Sequence, residues 1–352
     1  MGILKKFWKI ISSSHKRNII VVAVIIVFVL SLTYLFFRFS NSIPKLSNLK
    51  VFPSLTENIF DLISPSSLNQ ASLNQDSIAL NPDTAPASIT NEIKILHPTK
   101  KNGRVWNAKW SNGNMRTLAS GQRDPLDSDF VARGNGNVSI DGNGVAQIEG
   151  DSPRMYVYDH AKKKKWKNVE VTVYAKRISE SGTASSQGIV IGARSEHQDA
   201  TLKKPCLGAT YYGRLLYDGR AVFQKELIHE GAYSSNKPKE NNKVKWDTPD
   251  GTMPKNVWIG VKFIVKNNPN KKSVKLELYR DLTNGYNGGT WEKVAEYTDK
   301  GKWSQTNSGV NIVKKCGYSA KKILLKPGTS VFIRNDYVND VQYKSFSIRE
   351  IK

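Results

Sequence analysis

From residue 93 onward, apolar and polar side chains alternate with a period of two. Val169, Val171 and Val173 interleave with Glu170, Thr172 and Tyr174. Val257, Ile259, Val261, Phe263 and Val265 interleave with Trp258, Gly260, Lys262 and Ile264. Val274, Leu276 and Leu278 do the same with Lys275, Glu277 and Tyr279, and Phe346 and Ile348 with Ser345, Ser347 and Arg349. Such alternation sets one side of a strand against a core and the other toward solvent, the mark of half-buried antiparallel strands. Roughly a dozen such runs follow one another, without the longer period of an amphipathic helix between them. Gly134-Asn135-Gly136-Asn137, Asp141-Gly142-Asn143-Gly144, Asn284-Gly285 and Asn287-Gly288-Gly289 punctuate them. These residues supply the positive φ that tight hairpins demand. The pattern predicts an all-β, two-sheet antiparallel jelly-roll sandwich over residues 93–352.

Upstream the pattern is different. Ile19 to Phe37 reads IIVVAVIIVFVLSLTYLFF and holds no charge. A helix of that length crosses about 30 Å of hydrocarbon. Lys5, Lys6, Lys9, Lys16 and Arg17 precede it, and no acidic residue does. The positive-inside bias keeps residues 1–18 cytoplasmic, makes 19–37 a transmembrane signal-anchor helix and sends the remainder outside the cell. A cleaved signal peptide would have a shorter core and small residues behind it; Phe36-Phe37-Arg38-Phe39 stands there instead. Residues 38–92 read as a flexible, low-complexity stalk, with the near-repeat Ser67-Leu68-Asn69-Gln70 and Ser72-Leu73-Asn74-Gln75 and little to bury.

Charge adds a partner. The formal net charge is +23, and most of it lies in residues 91–352. A folded extracellular domain that basic attracts polyanions. The Lys162-Lys163-Lys164-Lys165 run around Trp166 is either a solvated turn or a contact for an anionic polymer. No nucleic-acid-binding motif is present, so no specific nucleic acid is expected. The two cysteines, Cys206 and Cys316, lie on the side assigned to the extracellular space, where a disulfide persists. That bridge would close a loop worth about 4–5 kcal/mol in the chain-entropy model.

Candidate chemistry concentrates in residues 187–233, which hold Arg194, Glu196, His197, Gln224, Glu226 and His229. A tryptophan-rich sandwich of this size resembles the concanavalin A-like lectin and glucanase group. Within it, Arg194-Ser195-Glu196 is similar to the Arg-Ser/Thr-Glu strand motif of alginate-lyase-type polysaccharide lyases. Gln224-Lys225-Glu226 falls where that family has Gln-Ile/Val-His. The resemblance implies that Arg194 and Gln224 neutralise a substrate carboxylate, and it leaves the base unassigned, since Glu226 stands at the histidine position. His229 follows Gln224 by five residues, and in an unbulged strand that spacing puts the two on opposite faces. A glycosidase reading pairs Glu226 with Glu196, because two carboxyls across a cleft are the minimum for that chemistry. A lectin reading rests on Tyr211, Tyr212, Tyr217 and Tyr233 among Arg214, Arg220 and Lys225, since aromatic faces stack on sugars and guanidinium forks pair with carboxylate or sulfate. Asp124, Asp127 and Asp129 could ligate calcium, which takes clustered oxygens.

Together these readings predict a membrane-anchored extracellular, lectin-like protein that recognises an anionic polysaccharide or cell-surface polymer. A polysaccharide lyase or glycoside hydrolase acting on that polymer, and a structural protein of the cell envelope, are the alternatives.

Overall fold

A computed structural model describes residues 92–182, 187–229, 232–236, 244, 246–303, 311, 313–319 and 321–352. All belong to one compact unit, Ala85–Lys352. The expected cytoplasmic tail, the anchor over 19–37 and the stalk as far as residue 91 lie outside the described residues. Among the described residues, no helix is long and apolar enough to cross a membrane.

The strands are β1 (Val105–Asn107), β2 (Arg116–Leu118), β3 (Arg123–Asp124), β4 (Asp127–Arg133), β5 (Asn137–Ile140), β6 (Val145–Gly150), β7 (Arg154–Tyr158), β8 (Val169–Glu180), β9 (Gly188–Ser195), β10 (Thr210–Leu216), β11 (Ala221–Ile228), β12 (Ala232–Asn236), β13 (Trp258–Asn267), β14 (Val274–Asp281), β15 (Glu292–Asp299), β16 (Ser330–Arg334) and β17 (Val338–Glu350). They form two antiparallel sheets, as the alternation predicts. The first runs β15-β14-β13-β8-β17-β6-β5-β2, with β1 also on β17; the second runs β12-β11-β10-β9-β16-β7-β4-β3.

The inward positions of both sheets make one core. Val169, Val171 and Val173 of β8 and Ile259, Val261, Phe263 and Val265 of β13 meet Ile189, Ile191, Phe223, Val331 and Ile333 from the second sheet. Each such side chain taken out of water contributes roughly 1.5–3 kcal/mol. Gly213 lets the two layers close: a Cβ there would lie 2.5 Å from the Phe263 ring.

The strands are more deeply buried than the alternation implies. Glu170, Lys262 and Glu277 point outward from the first sheet, yet each is at most 3% exposed. The reason is a strap. Residues 92–99 run along this outer face, and the amides of Leu96 and His97 donate to the Glu170 carboxylate. His97 Nε2 lies 3.0 Å from Glu277, and the Lys94 amide donates to the Gly288 carbonyl.

Candidate functional site

The outer face of the second sheet carries three tiers of side chains, fixed by register. Directly opposed residues in an antiparallel pair share a face. In the first tier Arg133 faces Arg154, Arg154 faces Arg334, Arg334 faces Val190 and Val190 faces Arg214. Four arginines thus cross five adjacent strands with one valine among them. In the second tier Val131, Tyr156, Phe332, Gly192, Tyr212 and Gln224 lie side by side. Gly192 is required there, since a Cβ would lie 2.3 Å from the Phe332 ring. The apolar members of these tiers form a cluster separate from the main core.

Asp336 takes Arg334 through Nε and Nη2, at 2.9 and 2.8 Å. Arg214 donates to Gln224 Oε1 at 2.9 Å, and Arg133 to the Tyr158 hydroxyl at 3.2 Å. The Nε atoms of Arg133 and Arg154 are buried without a hydrogen-bond partner among the described residues. Burial, and then the neighbouring Arg334, lower the Arg214 guanidinium to about 10.

The third tier is a His–Glu–His group. Glu226 is fully buried at the end of β11, and its Oε2 accepts a short hydrogen bond from the Tyr212 hydroxyl. His197 Nε2 lies 3.6 Å from Glu226 Oε2, and His229 Nδ1 lies 3.4 Å from Glu226 Oε1. The two imidazoles meet edge to face, with centroids 4.6 Å apart. Tyr156 Oη lies 2.8 Å from His197 Nδ1. Burial, followed by Arg154 and His229, pushes His197 down to about 3, so it is a neutral imidazole with a lone pair to offer.

Local sequence explains why these groups meet. His197 opens the turn His197–Asp199. Gln198 pins that turn to β16 through Thr329 Oγ1 at 2.6 Å and Ser330 Oγ at 2.7 Å. Strand β11 ends at Ile228 and its pairing with β12 shifts register after Glu226. His229 therefore escapes the alternation that would have turned it from Gln224, and it returns to Glu226. Its amide donates to the Pro205 carbonyl at 2.8 Å, and Gly208 packs so closely that a Cβ would lie 2.3 Å from the His229 nitrogen. The segment Pro205–Gly208 is held by the Cys206–Cys316 disulfide, as expected from the sequence, with Cα atoms 5.4 Å apart.

Other residues singled out in the sequence lie elsewhere. Arg194 has φ +52° and turns off the face. Its guanidinium donates to Lys167 O, Asn267 Oδ1, Leu324 O and Asn168 Oδ1 at 2.6–3.1 Å. Glu196 lines a separate cavity with Lys165 and Lys322, so it does not share a cleft with Glu226. Tyr211 and Lys225 point inward, where the Tyr211 hydroxyl and Lys225 Nζ both donate to Asp299 Oδ2 at 2.6 and 2.9 Å. Arg220 sits in a hairpin turn and pairs with Asp218. The three aspartates are drawn to different donors: Asp124 to Arg116, Asp127 to the Trp106 indole at 2.8 Å, and Asp129 to Arg104. Lys162 binds Asp199 and Lys165 faces Glu196.

Arg133, Arg154, Arg334 and Tyr156 were not among the residues that the sequence marked, and His197 was noted without a role. A signal for the arginines exists. Arg154-x-Tyr156, Phe332-x-Arg334 and Tyr212-x-Arg214 each set an arginine two residues from an aromatic, which is one face of a strand.

No family model matches this chain, and no curated protein matches it. Solved structures do. The exoplasmic/lumenal domain of VIP36, bound to Ca2+ and Man2, is similar with a TM-score of 0.34 and 11% identity, over 70% of this chain and 89% of that one. Lectin UEA-II from Ulex europaeus, complexed with galactose, gives 0.30 and 11%, over 68% and 99%. A putative glycosyl hydrolase from Parabacteroides distasonis gives 0.29 and 15%, over 61% and 83%. At such scores the architecture stands on the strand ladders themselves, and what those proteins bind says nothing of this chain.

Proposed function

We propose that this chain binds an anionic polysaccharide or cell-surface polymer along the outer face of the second sheet. The observation that carries the reading is the Arg133, Arg154, Arg334 and Arg214 row. Strands stand about 4.8 Å apart, so five of them set these cations over roughly 19 Å. A linear array of forks suits a polymer with repeated carboxylates or sulfates better than a lone ion. The aromatic tier beside it is a low-dielectric wall that focuses the positive field. In this reading the chain is anchored through residues 19–37, with the sandwich outside the cell.

The test is binding of the purified full-length chain to a polyuronate, a sulfated polysaccharide and a neutral glucan across a salt series. Acidic polymers should bind, and binding should weaken steeply as salt rises. Arg154→Ala and Arg334→Ala should each weaken it about tenfold, the size of one lost charge-assisted hydrogen bond. Equal affinity for the neutral glucan, insensitive to salt, would overturn the reading.

A second reading, a polysaccharide lyase or hydrolase, is favoured by the Tyr156–His197 contact of 2.8 Å, which stands beside the arginines as a proton-transfer pair would. An unsaturated, ultraviolet-absorbing product or new reducing ends in the same mixtures would decide for it.

A further inference from the structure

The third tier holds more than a polymer-binding face needs. We infer that His197, Glu226 and His229 form a mononuclear site for a divalent transition metal of the zinc class. One nitrogen or oxygen from each can be chosen so that all lie within 4.8 Å of one another. A tetrahedral zinc with bonds of about 2.1 Å requires ligand atoms about 3.4 Å apart. The observed contacts to Glu226 are 3.6 Å from His197 Nε2 to Oε2 and 3.4 Å from His229 Nδ1 to Oε1. With one atom from each residue the set spans at most 4.8 Å, so ligation asks the side chains to close by no more than about 1.4 Å.

His197 supplies an independent sign. It is 5% exposed, and its Nε2 is buried with no hydrogen-bond partner among the described residues. A buried polar atom left without a bond costs on the order of 1–3 kcal/mol, unless something fills the place it is aimed at. Its other nitrogen contacts the Tyr156 hydroxyl at 2.8 Å. In the tautomer whose Nδ1–H donates to that oxygen, the Nε2 lone pair faces Glu226 and can ligate. A hydrogen bond behind a ligating imidazole is the usual support for such a ligand. Tyr212 does the same for Glu226, holding Oε2 while Oε1 faces His229.

The donor set selects the metal. Two imidazoles and one carboxylate suit zinc and its neighbours, whereas calcium takes six to eight oxygens. Three protein ligands leave a fourth position for water or an outside group. The His229 side chain is 15% exposed and marks the way in. Nothing in this assignment depends on the polymer reading: the arginine tier lies on the far side of the aromatic tier.

The experiment uses the full-length chain, prepared without a histidine tag and stripped with a chelator. Zinc is titrated by calorimetry, and Co2+ by visible absorption. We expect one equivalent of zinc, a tetrahedral Co2+ spectrum that zinc abolishes, and a melting temperature raised by zinc. His229→Ala and Glu226→Gln should remove all three signals, while His97→Ala, far from the site, should keep them. Tyr156→Phe should weaken zinc binding about 10- to 100-fold without changing stoichiometry. If the ligand variants fail to fold, the wild-type Co2+ spectrum decides, because octahedral bands or none would overturn the site. Zinc binding unchanged in folded His229→Ala would overturn it equally.

Discussion

The two outer faces of this sandwich treat buried charge in opposite ways. On the first sheet Glu170 meets Lys262 at 3.0 Å and Arg349 at 2.9 Å, and Glu277 meets Lys293 at 3.0 Å. Residues 92–99 cover Glu170 and reach Glu277 through His97. On the second sheet four arginines stand in a row, and one of them, Arg334, pairs with Asp336. Neutralised charge under a strap serves the fold, because the desolvation cost of each ion is offset in place. A row of like charges, in which the buried Nε atoms of Arg133 and Arg154 make no hydrogen bond among the described residues, is what the proposed polyanion would neutralise. The same residue types therefore mean architecture on one side and, in the reading proposed above, recognition on the other.

That contrast breaks most visibly at Glu170. Glu170→Ala should leave Lys262, itself 1% exposed, without its carboxylate, and should cost about 3–5 kcal/mol in denaturant unfolding. A loss below 1 kcal/mol would mean that the pair is not structural. On the second sheet the comparable injury is steric. Gly192→Ala should cost roughly 1–3 kcal/mol through the Phe332 ring, and it should disturb the Tyr156 and Tyr212 environment in near-ultraviolet circular dichroism.

Acid sharpens the comparison with a smaller effect. Burial pushes the Glu170 carboxyl up, but Lys262, Arg349 and the His97 amide outweigh it and hold it below its ordinary 4.5. Its contribution is present above pH 4.5 and is lost as pH falls through the depressed folded value. Stability should drop by up to about 1.4 kcal/mol per pH unit in that window for this one proton. Unfolding curves from pH 6 to pH 3 would show that limb in the wild type and a shallower one in Glu170→Ala. The smallest stability change is expected at Arg154. Arg154→Ala should cost less than about 1 kcal/mol of folding, while it weakens polyanion binding about tenfold. A large folding loss there would place the arginine row with the architecture instead.

The strands were legible because each reports its own burial through alternation: Val169, Val171 and Val173 need no neighbour to be read. The disulfide was legible from an even cysteine count. The arginine row was not, since Arg133 and Arg154 meet across β4 and β7 but join Arg334 and Arg214 only when β16 inserts between β7 and β9. Arg194 misled for a different reason. Its motif is local, but a left-handed backbone swings the side chain into a cage of carbonyls and amides, and no motif records φ. Parity alone turns His229 from Gln224, but the strand stops one residue before it and the turn brings it back to Glu226.

The strap has a mechanical consequence. Thr99 bridges Ile351, so the incoming and outgoing ends of the sandwich are fastened together on the first sheet. A pull on residue 92 loads the Lys94–Gly288 and Glu170 bonds before any strand ladder of the second sheet feels force. The chain thus enters the sandwich on the face opposite the arginine row.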